Sequence, residues 1–75
     1  MNWVLLDSSA IYAAAYAGSA LYLIFQGRDV AYEYPNVPVS VFADLIGAES
    51  PGTFYNQEIR PTYGLRRKPT TRKRP

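Results

Sequence analysis

The chain has 75 residues, no cysteine and no histidine. It can form one domain at most, and a chain of this length buries only about 60% of its unfolded surface. Disulfides, cysteine or histidine metal centres and histidine-activated nucleophiles are excluded. The formal charge of +2 hides a division. Residues 1–64 hold two basic and six acidic residues, a balance of −4, and residues 65–75 hold six basic residues and no acid. The expected organisation is therefore an acidic body over residues 1–64 and a basic tail over residues 65–75.

In chain order, Trp3, Val4, Leu5 and Leu6 suit a short strand or a packed arm, and Asp7-Ser8-Ser9 suits a turn. Residues 8–27, SSAIYAAAYAGSALYLIFQG, carry no charge. A membrane span is disfavoured by three tyrosines, three serines, a glutamine and a central Gly-Ser pair, and a signal peptide by the lack of a preceding basic residue. Two strands, residues 10–17 and 20–26, joined by a tight turn at Gly18-Ser19, fit better. The alanines of 10–17 favour helix on propensity alone, a preference that tertiary context often overrides.

Gly27-Arg28-Asp29 marks a second turn. Val30, Tyr32 and Tyr34 then alternate with Ala31 and Glu33, so a third strand places the first three on one face. Pro35 ends it. Pro38 begins a helix of about ten residues. Val39, Phe42, Leu45 and Ile46 line one side of that helix, Ser40, Asp44 and Glu49 look outward, and Gly47 stops it. Ser50 or Thr53 is positioned to cap a helical turn over FYNQEIR that buries Phe54 and Ile59 and closes at Pro61. LRRKPTTRKRP, residues 65–75, has one apolar residue against six charges and two prolines, a composition that predicts disorder in isolation.

The ordered set of features resembles the KTSC domain, a short bacterial and phage module also found appended to some lysyl-tRNA synthetases. The resemblance covers residues 8–63. It rests on Phe25 and Gly27 in a turn, the Tyr32-x-Tyr34 pair, Val37-Pro38 at a helix start, and Ser50, Gly52, Phe54 and Asn56 before Ile59-Arg60. Two positions depart from it. Ala17 follows Tyr16 where the family often has aspartate, and Pro51 stands where it commonly has lysine between the serine and the glycine. If that lysine contacts phosphate in relatives, this chain lacks the contact. The resemblance implies a small α+β fold, and RNA binding is the activity suggested for the family.

Tyr32 and Tyr34 leave two readings open. Aromatics two residues apart on a sheet face stack on bases in RNA-binding sheets. Alternatively the face lies under the helix with the phenol oxygens at its rim. Val30 on the same face, and a helix that needs cover, favour the second. Asn56 and Arg60 lie one helical turn apart and suit a phosphate or carboxylate beside the glycine loop. The plainer reading is a loop-ordering asparagine and a surface arginine paired with an acid such as Glu58. Nothing in the spacing makes Asp44, Glu49 and Glu58 converge, so neither a catalytic pair nor a hard-metal site is expected.

The basic segment is the strongest functional signal, because six cations without apolar cover attract polyanions. The expected fold is α+β, a three- or four-stranded antiparallel meander with one helix on a face, a short helical turn and a flexible basic tail. The expected function is a non-enzymatic, cytoplasmic binding module without cofactor, metal or membrane. Its nucleic-acid candidates are Arg66, Arg67, Lys68, Arg72, Lys73, Arg74, Arg60, Asn56, Tyr32 and Tyr34. RNA or another polyanion is the expected partner of the tail, and a protein the expected partner of the acidic body. The alternatives are a protein–protein regulator, such as a small phage-encoded factor docked on host transcription or translation machinery, and a virion or assembly component.

Overall fold

The structure is a computed structural model that describes residues 1–73. Five antiparallel strands form one sheet in sequence order: β1 (Val4–Leu5), β2 (Ile11–Ala17), β3 (Ala20–Phe25), β4 (Val30–Tyr34) and β5 (Lys68–Lys73). The helical residues lie between β4 and β5. They are α1 (Val39–Ile46), then an unbroken run of α2 (Pro51–Phe54), a π-helical turn over Tyr55–Ile59, α3 (Arg60–Tyr63) and a 3₁₀ turn over Gly64–Arg66. Among the described residues no helix is long and apolar enough to cross a membrane, and the uncharged stretch is the β2–β3 hairpin.

The hairpin turn is built as the Gly-Ser pair predicts. Gly18 and Ser19 both take positive φ, 56° and 64°, the pattern of the two-residue turn whose twist matches its strands. Ala13, Ala14 and Ala15 become strand residues because each is fully buried against β3, opposite Ile24, Leu23 and Tyr22. Packing on both faces outweighs the small helical preference of alanine. One face of the sheet carries Ile11, Ala14, Leu21, Leu23 and Tyr34, covered by Val37, Leu45, Tyr55 and Ile59. On the other, Ala15, Ala20 and Tyr22 pack with Trp3 and Ala17.

The segment after β4 is pinned at one residue. Pro35 leaves the strand and Asn36 takes φ 57°, which asparagine tolerates better than most residues. Val37, only 1% exposed, then sits between two hydrogen bonds. Its N–H donates to the Ser19 carbonyl, and its own carbonyl accepts from the Tyr16 hydroxyl. Pro38 follows as the residue that starts α1. The buried stripe of that helix is narrower than its periodicity predicts. Leu45 is buried and Val41 and Phe42 are half-buried, while Val39 and Ile46 are exposed. Phe42 stacks on Tyr16, with ring centres 5.7 Å apart.

Three expectations are corrected. Pro61 does not close the second helical segment, which continues to Arg66. A proline inside a helix lacks an N–H and crowds the carbonyl four residues back. Just before it the helix widens, and the Arg60 N–H reaches the Tyr55 carbonyl five residues back, which loosens the turn ahead of the ring. Gly52, expected in a loop, is helical within α2, with Ser50 as its cap. What it supplies is clearance, since a Cβ at Gly52 would lie 3.0 Å from the Cβ of Ala10.

The third correction concerns the basic segment. Residues 68–73 are a strand, so the sheet has five strands rather than three or four, and the expectation of a disordered tail fails there. Arg74, one of the candidate cations, lies outside the described residues. Pairing with β4 needs backbone groups rather than an apolar core, which is why composition misleads. The register sets Tyr32 opposite Pro69 and Glu33 opposite Lys68, and the Thr70 hydroxyl donates to the Ala31 carbonyl at 3.2 Å. Lysine, proline and a terminal position in the sheet are the features of a protected edge strand.

Replacing Gly52 with valine is expected to cost about 1–3 kcal/mol in chemical denaturation, the range for overpacking. An added Ala10→Gly substitution should recover part of the loss, whereas equal stability of Gly52→Val and wild type would remove the clearance argument. Deleting residues 68–75 is expected to lower the melting temperature and to expose the β5-facing amides of β4 to hydrogen exchange. Unchanged protection of those amides would mean that β5 contributes nothing to the sheet in solution.

Candidate functional site

The covered face of the sheet ends in a line of aromatic rings. Tyr32 on β4 lies 6.0 Å from Phe25 at the end of β3, and Phe25 meets Tyr55 edge-on at 5.3 Å. Tyr55 in turn meets Tyr34 edge-on at 6.1 Å. Edge-to-face arrangements match the positive rim of one ring to the negative face of the next. The π-helical turn presents both Tyr55 and Ile59 to the sheet as buried residues, which leaves Arg60 at the surface beside the rings.

Arg67 joins this line to the start of β5. Its guanidinium carbon stands 4.5 Å from the centre of the Tyr32 ring and 5.9 Å from that of Phe25. One of its nitrogens donates to the Tyr34 hydroxyl at 3.3 Å, and the Tyr34 and Tyr55 hydroxyls are 2.9 Å apart. Tyr34 is fully buried, yet its polar atom is satisfied. Burial, with help from the Tyr55 hydrogen bond, pushes the Tyr34 hydroxyl well above the ordinary tyrosine range, against a smaller opposing effect of Arg67. The Tyr34 hydrogen bond in turn holds Arg67 more firmly protonated.

A groove of about 400 Å³ opens over these rings. Phe25, Tyr32, Tyr55, Arg28, Arg60, Gly64, Leu65 and Arg67 line it. Three of the eight are arginines, three are aromatic and none is acidic. A cationic, aromatic-floored groove of this size accepts a flat ring together with an anionic group. Among the described residues no three histidine, cysteine or carboxylate side chains are grouped to hold a metal ion.

The sequence candidates divide between the groove, the core and the open surface. Tyr32, Arg60 and Arg67 line the groove. Tyr34 lies in the core under the helices, where no base can stack on it, although its hydroxyl positions Arg67. The reading of a covered face therefore holds for Tyr34, while Tyr32 stays half-buried at the edge of the groove. Asn56 and Arg66 are exposed and do not line the groove, so Asn56 and Arg60 do not act as a pair there. Lys68 is exposed and stands opposite Glu33 in the register, and Arg72 and Lys73 belong to β5 by their backbone. Sequence reasoning missed Arg28 and Tyr55 and gave Phe25 no role beyond a turn. The available signal was that Phe25 and Arg28 flank the Gly27 turn, which takes φ 78° and ends β3 beside β4.

A Tyr34→Phe variant loses the bonds to both Arg67 and Tyr55, at about 1–2 kcal/mol of unfolding free energy. The neutral Tyr34 hydroxyl stabilises the fold fully below the pKa of an unfolded tyrosine, about 10, and this contribution declines as the pH rises above it. Wild-type stability is thus expected to fall above pH about 10 more steeply than that of Tyr34→Phe, as read by denaturation at a series of pH values. Parallel pH profiles would remove Tyr34 as the source.

Two comparisons with known proteins bear on this geometry. A family model of the KTSC domain matches residues 7–63. A protein of Tsukamurella paurometabola is 46% identical over 59 residues, a stretch that covers 76% of this chain and 87% of that protein. The matched span takes in Phe25, Arg28, Tyr32, Tyr55 and Arg60. Gly64, Leu65 and Arg67 complete the groove from beyond its end, and on the match over residues 7–63 the chain belongs to the KTSC domain family.

Proposed function

We propose that this KTSC domain is a non-enzymatic module that binds single-stranded nucleic acid, RNA foremost, through the groove of Phe25, Tyr32, Tyr55, Arg28, Arg60 and Arg67. The observation that carries the reading is the composition of that groove, three guanidiniums over three rings with no acidic side chain in its lining. Unpaired strands are held by stacking on aromatic or guanidinium planes and by cations along the backbone, and such contacts tolerate any sequence. The exposed cations Arg66 and Lys68 and the backbone of β5 continue from the groove along one edge of the sheet, which extends the electrostatic attraction. A cytoplasmic setting, where such strands occur, goes with this reading.

The remainder of the body is acidic and repels phosphate, which favours a division of labour. The groove and β5 meet nucleic acid, while other surfaces, including the exposed Val39 and Ile46 of α1, meet a protein of the transcription or translation machinery. A regulator that docks on such a machine is the second reading, and those two exposed apolar residues are what favours it.

The test is fluorescence anisotropy with a labelled short single-stranded RNA over a salt series. Each phosphate contact contributes about −0.7 to the log–log slope, so three guanidiniums on phosphates would give about −2, and a steeper slope counts contacts from the rest of the basic segment. Tyr32→Ala removes the ring on which Arg67 lies and is expected to weaken binding by about 1–3 kcal/mol, the worth of one stacking contact, with folding checked by thermal melting. A slope near zero, or undiminished binding by folded Tyr32→Ala, would exclude the groove as the nucleic-acid site.

A further inference from the structure

We infer that the groove captures a nucleotide bearing a phosphomonoester, the phosphorylated end of a strand or a free mononucleotide, with Arg67 as the platform for the base and Arg28 and Arg60 as the clamp on the phosphate. This rests on the nucleic-acid reading above and narrows it.

The division of roles follows from what each arginine already touches. Arg67 is committed. It lies over the Tyr32 ring at 4.5 Å and donates to the Tyr34 hydroxyl, so its position is fixed and the Tyr32 face beneath it is occupied. A base entering the groove meets the outer plane of this guanidinium rather than the tyrosine ring, and guanidinium planes are stacking surfaces for bases. Arg28, in the turn between β3 and β4, and Arg60, at the end of the π-helical turn, line the same groove. Neither side chain is hydrogen-bonded or ion-paired among the described residues.

Two uncommitted guanidiniums are more than an internal phosphodiester requires. That linkage carries one negative charge and presents two non-bridging oxygens. A phosphomonoester carries about −1.5 to −2 near neutrality and presents three acceptor oxygens. Paired guanidiniums, each able to bond two oxygens side by side, match the second group better. The groove volume of about 400 Å³ lies toward the lower end of the range for small-ligand sites, the scale of one nucleotide rather than a track for several.

The experiment uses the full chain and three probes of one base sequence, with a 5′-phosphate, a 3′-phosphate or hydroxyls at both ends, measured by anisotropy. One phosphorylated end is expected to bind about tenfold tighter than the hydroxyl-ended strand at pH about 7.5, and the preference should shrink toward pH about 5 as the phosphate loses its second charge. Arg28→Gln with Arg60→Gln is expected to abolish the preference without lowering the melting temperature. Competition by free nucleoside monophosphate assigns the source. Displacement as effective as that by the strand end points to the mononucleotide, and weaker displacement points to strand ends, both within the inference. Equal affinity for all three strands, still sensitive to Tyr32→Ala, would overturn the inference and leave the nucleic-acid reading standing. Binding of none of the strands would overturn both, as would tighter binding of a phosphotyrosine peptide than of any strand.

Discussion

A guanidinium from the residue just ahead of the fifth strand, lying on a tyrosine of the fourth, is the contact on which this structure depends. Arg67 joins three elements that are far apart in sequence: it covers Tyr32 on β4, approaches Phe25 on β3 and bonds Tyr34, which bonds Tyr55 in the helical run. Without that anchor a segment of lysine, proline, threonine and arginine has little reason to return to the sheet. With it, the backbone of β5 is delivered next to β4, where hydrogen bonding completes the fifth strand. A cation against aromatic faces contributes about 0.5–2 kcal/mol, depending on how far it is desolvated. In a domain of this size that is a sizeable share of the net stability.

The same contact shapes the site. A buried tyrosine hydroxyl is costly unless bonded, and the pairing of Tyr34 with Tyr55 satisfies both within the aromatic layer. Arg67 closes that layer from outside and becomes part of the groove wall. The groove is therefore a by-product of core packing as much as a feature of the surface, since its floor rings are also members or neighbours of the hydrophobic core. The π-helical turn contributes in the same way. It accommodates Pro61, buries Tyr55 and Ile59 together and leaves Arg60 outside them. The acidic balance of residues 1–64 does not reach this region, because none of the lining residues is acidic and two of the arginines come from that otherwise acidic body.

Much of the fold was legible from short-range patterns. The Gly18-Ser19 turn, the Val30–Tyr34 alternation and the start of a helix after Pro38 all appear where residue spacing and turn chemistry place them. The failures share one cause. Val39 and Ile46 lie at helical spacing with Phe42 and Leu45, yet periodicity does not say how wide a stripe the sheet will cover, and both stay exposed. Pro61 is a helix breaker by local rules, and a widened turn absorbs it. Gly52 matters through a neighbour 42 positions earlier, a proximity that no window of sequence contains.

By itself, then, the sequence determined strands β2, β3 and β4 and the helix after Pro38, the family resemblance, the exclusion of cysteine and histidine chemistry, and the concentration of positive charge at the C-terminal end. Those properties follow from side-chain period, turn geometry and composition, all of them local. Only the tertiary structure decided that Tyr34 is core and Tyr32 half-buried beside the groove, that the basic segment pairs as a strand, and that Arg28, Arg60 and Arg67 share one groove. Each of these outcomes depends on groups brought together from distant positions, as when Arg67 meets Tyr34 across 33 residues of chain. An alternating pattern states which residues share a face, whereas what covers that face is settled by the packing of elements elsewhere in the chain.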